Sequence, residues 1–103
     1  MPDYKAPLRD IQFVLDEVLE SEQHYRSLPG CEEATPDMLS AILEEGAKFS
    51  ERVLAPLNAV GDREGCQLNG EEVTTPEGFK EAYQQFVEGG WPSLAHDPKW
   101  GGQ

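Results

Sequence analysis

The residues that could carry chemistry are few, and their spacing does not bring them into a catalytic group. His24 and His96 are far apart in the sequence, and neither has an evident serine or cysteine partner. Because catalysis needs cooperating groups rather than one residue type, both are interpreted as ordinary histidines. Three pairs of adjacent acids are interpreted as solvated surface, because neighbouring residues on a helix point in different directions. These pairs are Glu32-Glu33, Glu44-Glu45 and Glu71-Glu72. The sequence therefore predicts no catalytic residue.

Metal-binding and phosphate-binding motifs are not indicated either. Cys31 and Cys66 form no CxxC pair and have no histidine at metal-ligand spacing, so free thiols are expected and a disulfide stays open. The two glycine pairs match neither the dinucleotide-binding nor the P-loop pattern. Gly89-Gly90 predicts a helix end, whereas Gly101-Gly102 would let a neighbouring backbone or a ligand approach closely. We expect no metal.

Charge and hydropathy narrow the class of protein. The chain of 103 residues suits one domain and has a formal charge of −12, from 20 acidic and 8 basic residues. Because phosphate groups attract Lys and Arg, this charge predicts no nucleic-acid partner and no anionic membrane surface. No apolar run approaches the ~20 residues of a membrane helix. The first residues lack a signal-peptide pattern, so a cytoplasmic protein without a membrane span is expected.

The elements that must position any site are mostly helical. A first helix is predicted from Pro7, with apolar residues at helical spacing as far as Leu19 and an end at Leu28-Pro29-Gly30. A second begins at Thr35-Pro36-Asp37, where a threonine cap, a first-turn proline and an acid agree. Its apolar stripe continues past Pro56, so we expect a bend there and an end near Gly61 or Asp62.

A hairpin and a third helix complete the predicted elements. Residues 67–73 contain an Asn-Gly turn signal, which favours a short hairpin or tight turn. The third helix is predicted to begin at Thr75-Pro76-Glu77 and to end at Gly89-Gly90, with the aromatic stripe Phe79, Tyr83 and Phe86 as core. The fold class is therefore all-α, a small helical domain of about three main helices, in which residues 67–73 form a short hairpin or a tight turn. Trp91 and Trp100, near the end of the sequence, indicate packing against something.

Three stretches resemble the acyl-CoA dehydrogenase family, in the family's order and over most of the chain. Residues 1–19, MPDYKAPLRDIQFVLDEVL, resemble the N-terminal extension of a long bacterial subgroup. Residues 42–66 resemble the helix that opens the family's N-terminal domain, including an Ala-Pro-Leu step and an Asp-Arg-Glu-Gly end. Residues 76–103 resemble the next helix and an Asp-Pro-x-aromatic-Gly-Gly loop. The resemblance implies an extension helix over 1–34 and part of the N-terminal helical domain over 35–103.

The resemblance also implies what the whole protein would do. Its subunit would add a middle β-domain and a C-terminal four-helix bundle, which hold most of the FAD, and it is expected to be a homo-oligomer. A carboxylate base, expected outside this segment, would take the α-proton of an acyl-CoA while the β-hydride passes to the flavin. An acceptor such as electron-transfer flavoprotein would receive the electrons. This segment alone is expected to be inactive and not to hold FAD.

One candidate site can be carried over from the family, and one rival interpretation stays open. The site is the turn Trp100, Gly101 and Gly102, expected on the substrate side; residues that bind the cofactor stay unknown. Coenzyme A is polyanionic, so this acidic segment would repel it and basic residues elsewhere must receive it. The rival is a small stand-alone acidic helical protein-interaction module, in which exposed Trp91 and Trp100 engage a partner.

Overall fold

The computed structural model describes residues 3–103, which form two compact units, one ending at Ala55 and one spanning Pro56–Gln103. Met1 and Pro2, where the predicted N-terminal extension begins, lie outside the described residues. The elements of the first unit are helical: α1 (Leu8–Phe13), the π-helical segment π1 (Val14–Val18), α2 (Ser21–Arg26), α3 (Pro36–Phe49) and the π-helical segment π2 (Ser50–Leu54).

The predicted first helix is divided in the structure. Leu19 N–H donates to the Val14 carbonyl at 2.8 Å, a five-residue step that widens the helix over π1. Glu20 then adopts a left-handed conformation with φ of 47° and separates π1 from α2. A non-glycine residue pays a steric cost there, because its Cβ crowds the following carbonyl oxygen. The prediction of one continuous helix as far as Leu28 is therefore wrong.

Two hydrogen bonds join α1 and the residues just before it to α3 and π2 in the same unit. The Ala6 N–H donates to Glu51 Oε1 at 2.8 Å, and Gln12 Nε2 donates to Ser40 Oγ at 3.1 Å. The partner numbers fall as the α1 numbers rise, so the two segments run antiparallel. Ala47, on α3, is buried with 8% of its surface exposed.

The predicted start of the second helix is confirmed. Thr35 is extended (φ −81°, ψ 160°), and its Oγ1 accepts a hydrogen bond of 3.2 Å from the Met38 N–H, ahead of Pro36 in the first turn. Helical structure also continues past Pro56, as predicted, in α4 (Ala55–Glu64). The Ala55 N–H reaches the Ser50 carbonyl, so the wide turn of π2 lies directly before the proline, where a regular helix would clash.

The end of α4 lies later than predicted. The helix runs to Glu64 rather than ending near Gly61 or Asp62, and Gly65 follows in the left-handed conformation that commonly ends helices. The Gly65 N–H still donates to the Gly61 carbonyl at 2.9 Å. Gly61 therefore serves packing rather than termination: a Cβ there would lie 2.7 Å from Cζ of Phe79.

The predicted hairpin is confirmed in the second unit. Strands β1 (Gln67–Asn69) and β2 (Glu72–Thr74) are antiparallel, and Leu68 pairs with Val73. The two-residue connection is Gly70-Glu71, and Gly70 supplies a φ of 66° at its first position. A glycine there is typical of a II′ turn, whose twist matches that of the strands.

The third helix, α5 (Phe79–Glu88), begins later than predicted. Thr75 does not cap it. Instead the Glu77 N–H donates to Glu64 Oε2 at 2.9 Å, and Gly78 adopts a left-handed φ of 88° immediately before the helix. The carboxylate therefore holds the 76–78 turn outside the helix. Two short 3₁₀ turns follow α5, Trp91–Ser93 and Pro98–Trp100.

The all-α fold class is confirmed, but the described residues bury little apolar surface. The buried hydrophobic side chains are Ala47 and Ala82, and among residues 3–103 no side chain is fully buried. The predicted aromatic core of α5 is largely wrong, because Phe79 and Tyr83 are exposed by 37% and 66%. Phe86 is half-buried.

The left-handed residue between π1 and α2 gives the first test. We expect Glu20→Gly to stabilise the protein by about 1 kcal/mol, because glycine removes the left-handed penalty. Urea unfolding of the 103-residue chain measures it. Glu17→Gly is the matched control: it removes the same charge from helical backbone and should destabilise by up to about 1 kcal/mol. Equal losses in both variants would contradict this account of the division.

Candidate functional site

The turn at Trp100, Gly101 and Gly102 is built by a short capped element. Asp97 is extended, and its Oδ1 accepts a hydrogen bond of 2.9 Å from the Lys99 N–H at the start of the second 3₁₀ turn. The Asp97 carbonyl accepts from the Trp100 N–H at 2.9 Å and from the Gly102 N–H at 3.2 Å. One aspartate therefore organises the whole turn from its N-terminal side.

The two glycines of the turn serve different purposes. Gly101 has a φ of 89°, and a Cβ built on it meets nothing within 4 Å, so it supplies conformation. A Cβ on Gly102 would lie 2.1 Å from the His96 carbonyl oxygen. Gly102 therefore supplies space, because only a bare backbone fits against His96.

Trp100 is the most exposed of the large apolar side chains, at 79%. Lys99 Nζ lies 5.2 Å from the centre of its ring, within the range of a cation–π contact. Trp91 differs: it is half-buried, and its Nε1 lies 2.9 Å from where a Cβ on Gly89 would stand. Trp100 is therefore exposed to solvent, whereas Trp91 packs against its neighbours.

The histidines and cysteines form no catalytic or metal-binding group within either unit of the described residues. The His24 ring packs against the Tyr25 ring at 5.7 Å, and Cys31 and Cys66 are free thiols. Among residues 3–103, no group of three or more His, Cys, Asp or Glu side chains is placed to hold a metal ion. No helix in that range is both long and apolar enough to cross a membrane.

The two perturbed carboxylates are exposed and have local causes. The pKa of Glu32 is lowered by hydrogen bonds from backbone N–H groups, its own and that of Gly30, which donates to Oε1 at 3.2 Å. The pKa of Glu45 is lowered by its 2.8 Å hydrogen bond from Lys48 Nζ and by the charge of that lysine. Both shifts stabilise charged surface groups and do not prepare a proton for transfer.

The sequence aligns with two curated dehydrogenases, although no protein-family model matches it. It is 41% identical over 99 residues to 3-methylmercaptopropionyl-CoA dehydrogenase from Ruegeria pomeroyi, covering 96% of this chain. It is 32% identical over 96 residues to butyryl-CoA dehydrogenase from Syntrophomonas wolfei, covering 85% of this chain. The chain belongs with the acyl-CoA dehydrogenases. It spans 17% and 15% of the lengths of these two relatives.

Acyl-CoA dehydrogenases generally use FAD, but the cavity beside the start of α3 does not fit that cofactor. The first unit has an open cavity of about 220 Å³ beside the start of α3, lined in part by Asp16 and Asp37 and by no lysine or arginine. Two carboxylates without a compensating cation repel a pyrophosphate. No step of flavin chemistry can therefore be derived from these residues. The rest of the lining is Gln12, Leu15, Pro36, Leu39, Ser40 and Leu43.

The space-filling role assigned to Gly102 can be tested directly. We expect Gly102→Ala to destabilise the turn by about 1–3 kcal/mol, because the new Cβ overlaps the His96 carbonyl oxygen. Hydrogen exchange of the Gly102 and Gln103 amides should accelerate. Gly101→Asn is the control, since asparagine tolerates the left-handed region and meets open space. Equal exchange rates in the two variants would contradict the steric account.

The cause of the Glu45 shift can be tested by removing its partner. We expect Lys48→Met to raise the pKa of Glu45 towards its usual range, measured by NMR titration of the side-chain carboxyl carbon. In the parent protein, the Glu45–Lys48 interaction stabilises the fold at pH values above the usual glutamate pKa. This stabilisation disappears as the pH falls through the lowered pKa of Glu45, because the carboxylate then becomes protonated. Lys80→Met removes the same charge elsewhere and should leave Glu45 unchanged. If the pKa of Glu45 rose equally in both variants, its lowering would be due to the net charge of the protein and not to Lys48.

Proposed function

We propose that this chain is the N-terminal helical part of an FAD-dependent acyl-CoA dehydrogenase. The observation that carries the proposal is an alignment over 99 residues with an enzyme that dehydrogenates a CoA thioester. This chain spans 17% of the length of that enzyme. Residues 1–34 would form an N-terminal extension, divided at Glu20, and residues 35–103 would form part of the N-terminal helical domain. The whole protein would remove hydrogen from the α and β carbons of an acyl-CoA.

The distribution of apolar surface supports this proposal. Large apolar side chains are exposed on α1, α3 and α5, and on both strands. Monomeric proteins seldom leave wide apolar surface uncovered, so other domains are expected to cover these faces. The exposed side chains are Tyr4, Phe13, Val14, Val18, Leu19, Leu28, Met38, Leu54, Leu68, Val73, Phe79, Tyr83, Val87, Leu94 and Trp100.

Charge supports a division of labour within the whole enzyme. With a formal charge of −12, this chain would repel the phosphates of coenzyme A, which basic residues outside it must receive. The chain would instead contribute to the wall around the acyl group, where the turn at Trp100, Gly101 and Gly102 is our candidate. Proton abstraction requires a base within hydrogen-bond reach of the substrate, and we place that base outside this chain.

The proposal extends to the setting of the enzyme. We place it in the cytoplasm as a homo-oligomer that passes electrons to an acceptor such as electron-transfer flavoprotein. The rival interaction module depended on two exposed tryptophans. Trp91 is half-buried, which weakens that module.

A chimera tests the function. Residues 1–103 replace the aligned segment of the Ruegeria pomeroyi enzyme, and flavin absorbance and turnover of 3-methylmercaptopropionyl-CoA are measured. We expect the chimera to keep bound flavin and measurable turnover. In the matched control, residues 36–103 are deleted from the chimera, and turnover should be lost because one wall of the acyl pocket is missing. Undiminished turnover after the deletion would contradict the proposal.

A further inference from the structure

Trp100 lies on a closed loop, and Gln103 closes that loop through both its side-chain amide and its backbone N–H. Three donors converge on the Gly90 carbonyl oxygen: the Ser93 N–H at 3.2 Å, Ser93 Oγ at 3.2 Å and Gln103 Nε2 at 2.9 Å. The Gln103 N–H also donates to the Ser93 carbonyl at 3.1 Å. Gly90 and Gln103 therefore meet at the neck of a compact loop of the Ω type, a class of loop that is often functional.

The neck is shaped for the glutamine amide. Gly90 has a φ of 80°, and a Cβ on it would lie 2.0 Å from Gln103 Nε2. The space that glycine leaves free is therefore occupied by the side chain of Gln103. A larger residue at position 90 would displace the amide from the carbonyl it binds.

The exposed tryptophan does not hold its own position. Trp100 is 79% exposed, so packing of its ring contributes little to the placement of the turn. The turn is held on one side by Asp97 and on the other by the fit of Gly102 against His96. Gln103 follows directly and ties that second side to the end of α5. Loss of the amide donor would loosen the second side, where the Gln103 N–H still binds the Ser93 carbonyl, and would leave the Asp97 cap intact.

We propose that Gln103 is a positioning residue that fixes the Trp100 turn in the orientation needed to contact the acyl group. This inference rests on the proposed function for its last step, because the turn is a substrate-side candidate only within a whole dehydrogenase. Its first step, that Gln103 restrains Trp100, concerns this chain alone. The two steps are therefore measured separately.

The first measurement follows the motion of Trp100 in the 103-residue chain. Trp91→Phe leaves Trp100 as the single tryptophan, and time-resolved fluorescence anisotropy reports its local motion. Gln103→Ala removes the amide, and Gln103→Glu keeps its shape but replaces the donor with a carboxylate. We expect a larger fast component of depolarisation in both variants. Gln84→Ala and Gln84→Glu are matched changes at an exposed glutamine of α5 and should leave the anisotropy unchanged.

The second measurement uses the chimeric dehydrogenase. Gln103→Ala and Gln103→Glu should raise the KM for the acyl-CoA by about twofold to tenfold, the range expected from one exposed hydrogen bond, with little change in kcat. Loss of bound flavin, or an equal fall of kcat, would assign Gln103 a merely structural role and overturn the proposal. The Gln84 variants should leave both constants unchanged.

The outcomes separate this inference from the proposed function. Unchanged anisotropy in both Gln103 variants, with helical circular dichroism retained, overturns the restraint by Gln103. A mobile Trp100 with an unchanged KM overturns the link from the turn to the acyl group, although the dehydrogenase assignment stands. A parent chimera with flavin but no turnover counts against the proposed function, and the anisotropy still decides whether Gln103 restrains Trp100.

Discussion

One constraint governs the rest of the structure: the described residues bury little apolar surface against one another. Ala47 and Ala82 are the buried hydrophobic side chains, and an alanine removes far less area from water than the leucine or phenylalanine of an ordinary core. The stripe of α3 is only half-buried at Leu39, Ile42 and Leu43. Helix propensity and local hydrogen bonds must then carry much of the order.

Local hydrogen bonds are accordingly placed where the chain changes direction. The carboxylate of Glu51 receives the Ala6 N–H ahead of α1, and that of Glu64 receives the Glu77 N–H ahead of α5. Both are acids within or at the end of helical segments that reach a backbone N–H elsewhere in the same unit. Some of the negatively charged side chains of this chain therefore also have a structural role. A chain organised in this way suits a role as one wall of a larger molecule.

The sequence predicted those features that depend on residues close together in the chain. The Thr35 cap, the hairpin over residues 67–74 and the end of α5 before Gly89 were all predicted, because each follows from a cap or turn residue acting on its neighbours. The errors came from contacts between distant residues. The start of α5 depends on Glu64, thirteen residues before the amide it accepts from.

Other features left no usable signal in the sequence. No glycine or asparagine marks the left-handed conformation at Glu20, and no residue pattern in the sequence marks the two π-helical segments. In the candidate site, Trp100, Gly101 and Gly102 were identified through a family resemblance, whereas the role of Gln103 was missed. A glutamine beside a glycine pair gives no indication of which carbonyl its amide will reach.

The central claim is that this chain is one part of an acyl-CoA dehydrogenase, and the most direct measurement is the sequence of its gene downstream of the Gln103 codon. We expect the reading frame to continue, with a strand-rich middle part and a helical end that brings a carboxylate base. A stop codon directly after Gln103 would contradict it. The chain would then have to act without the base and without most of an FAD site.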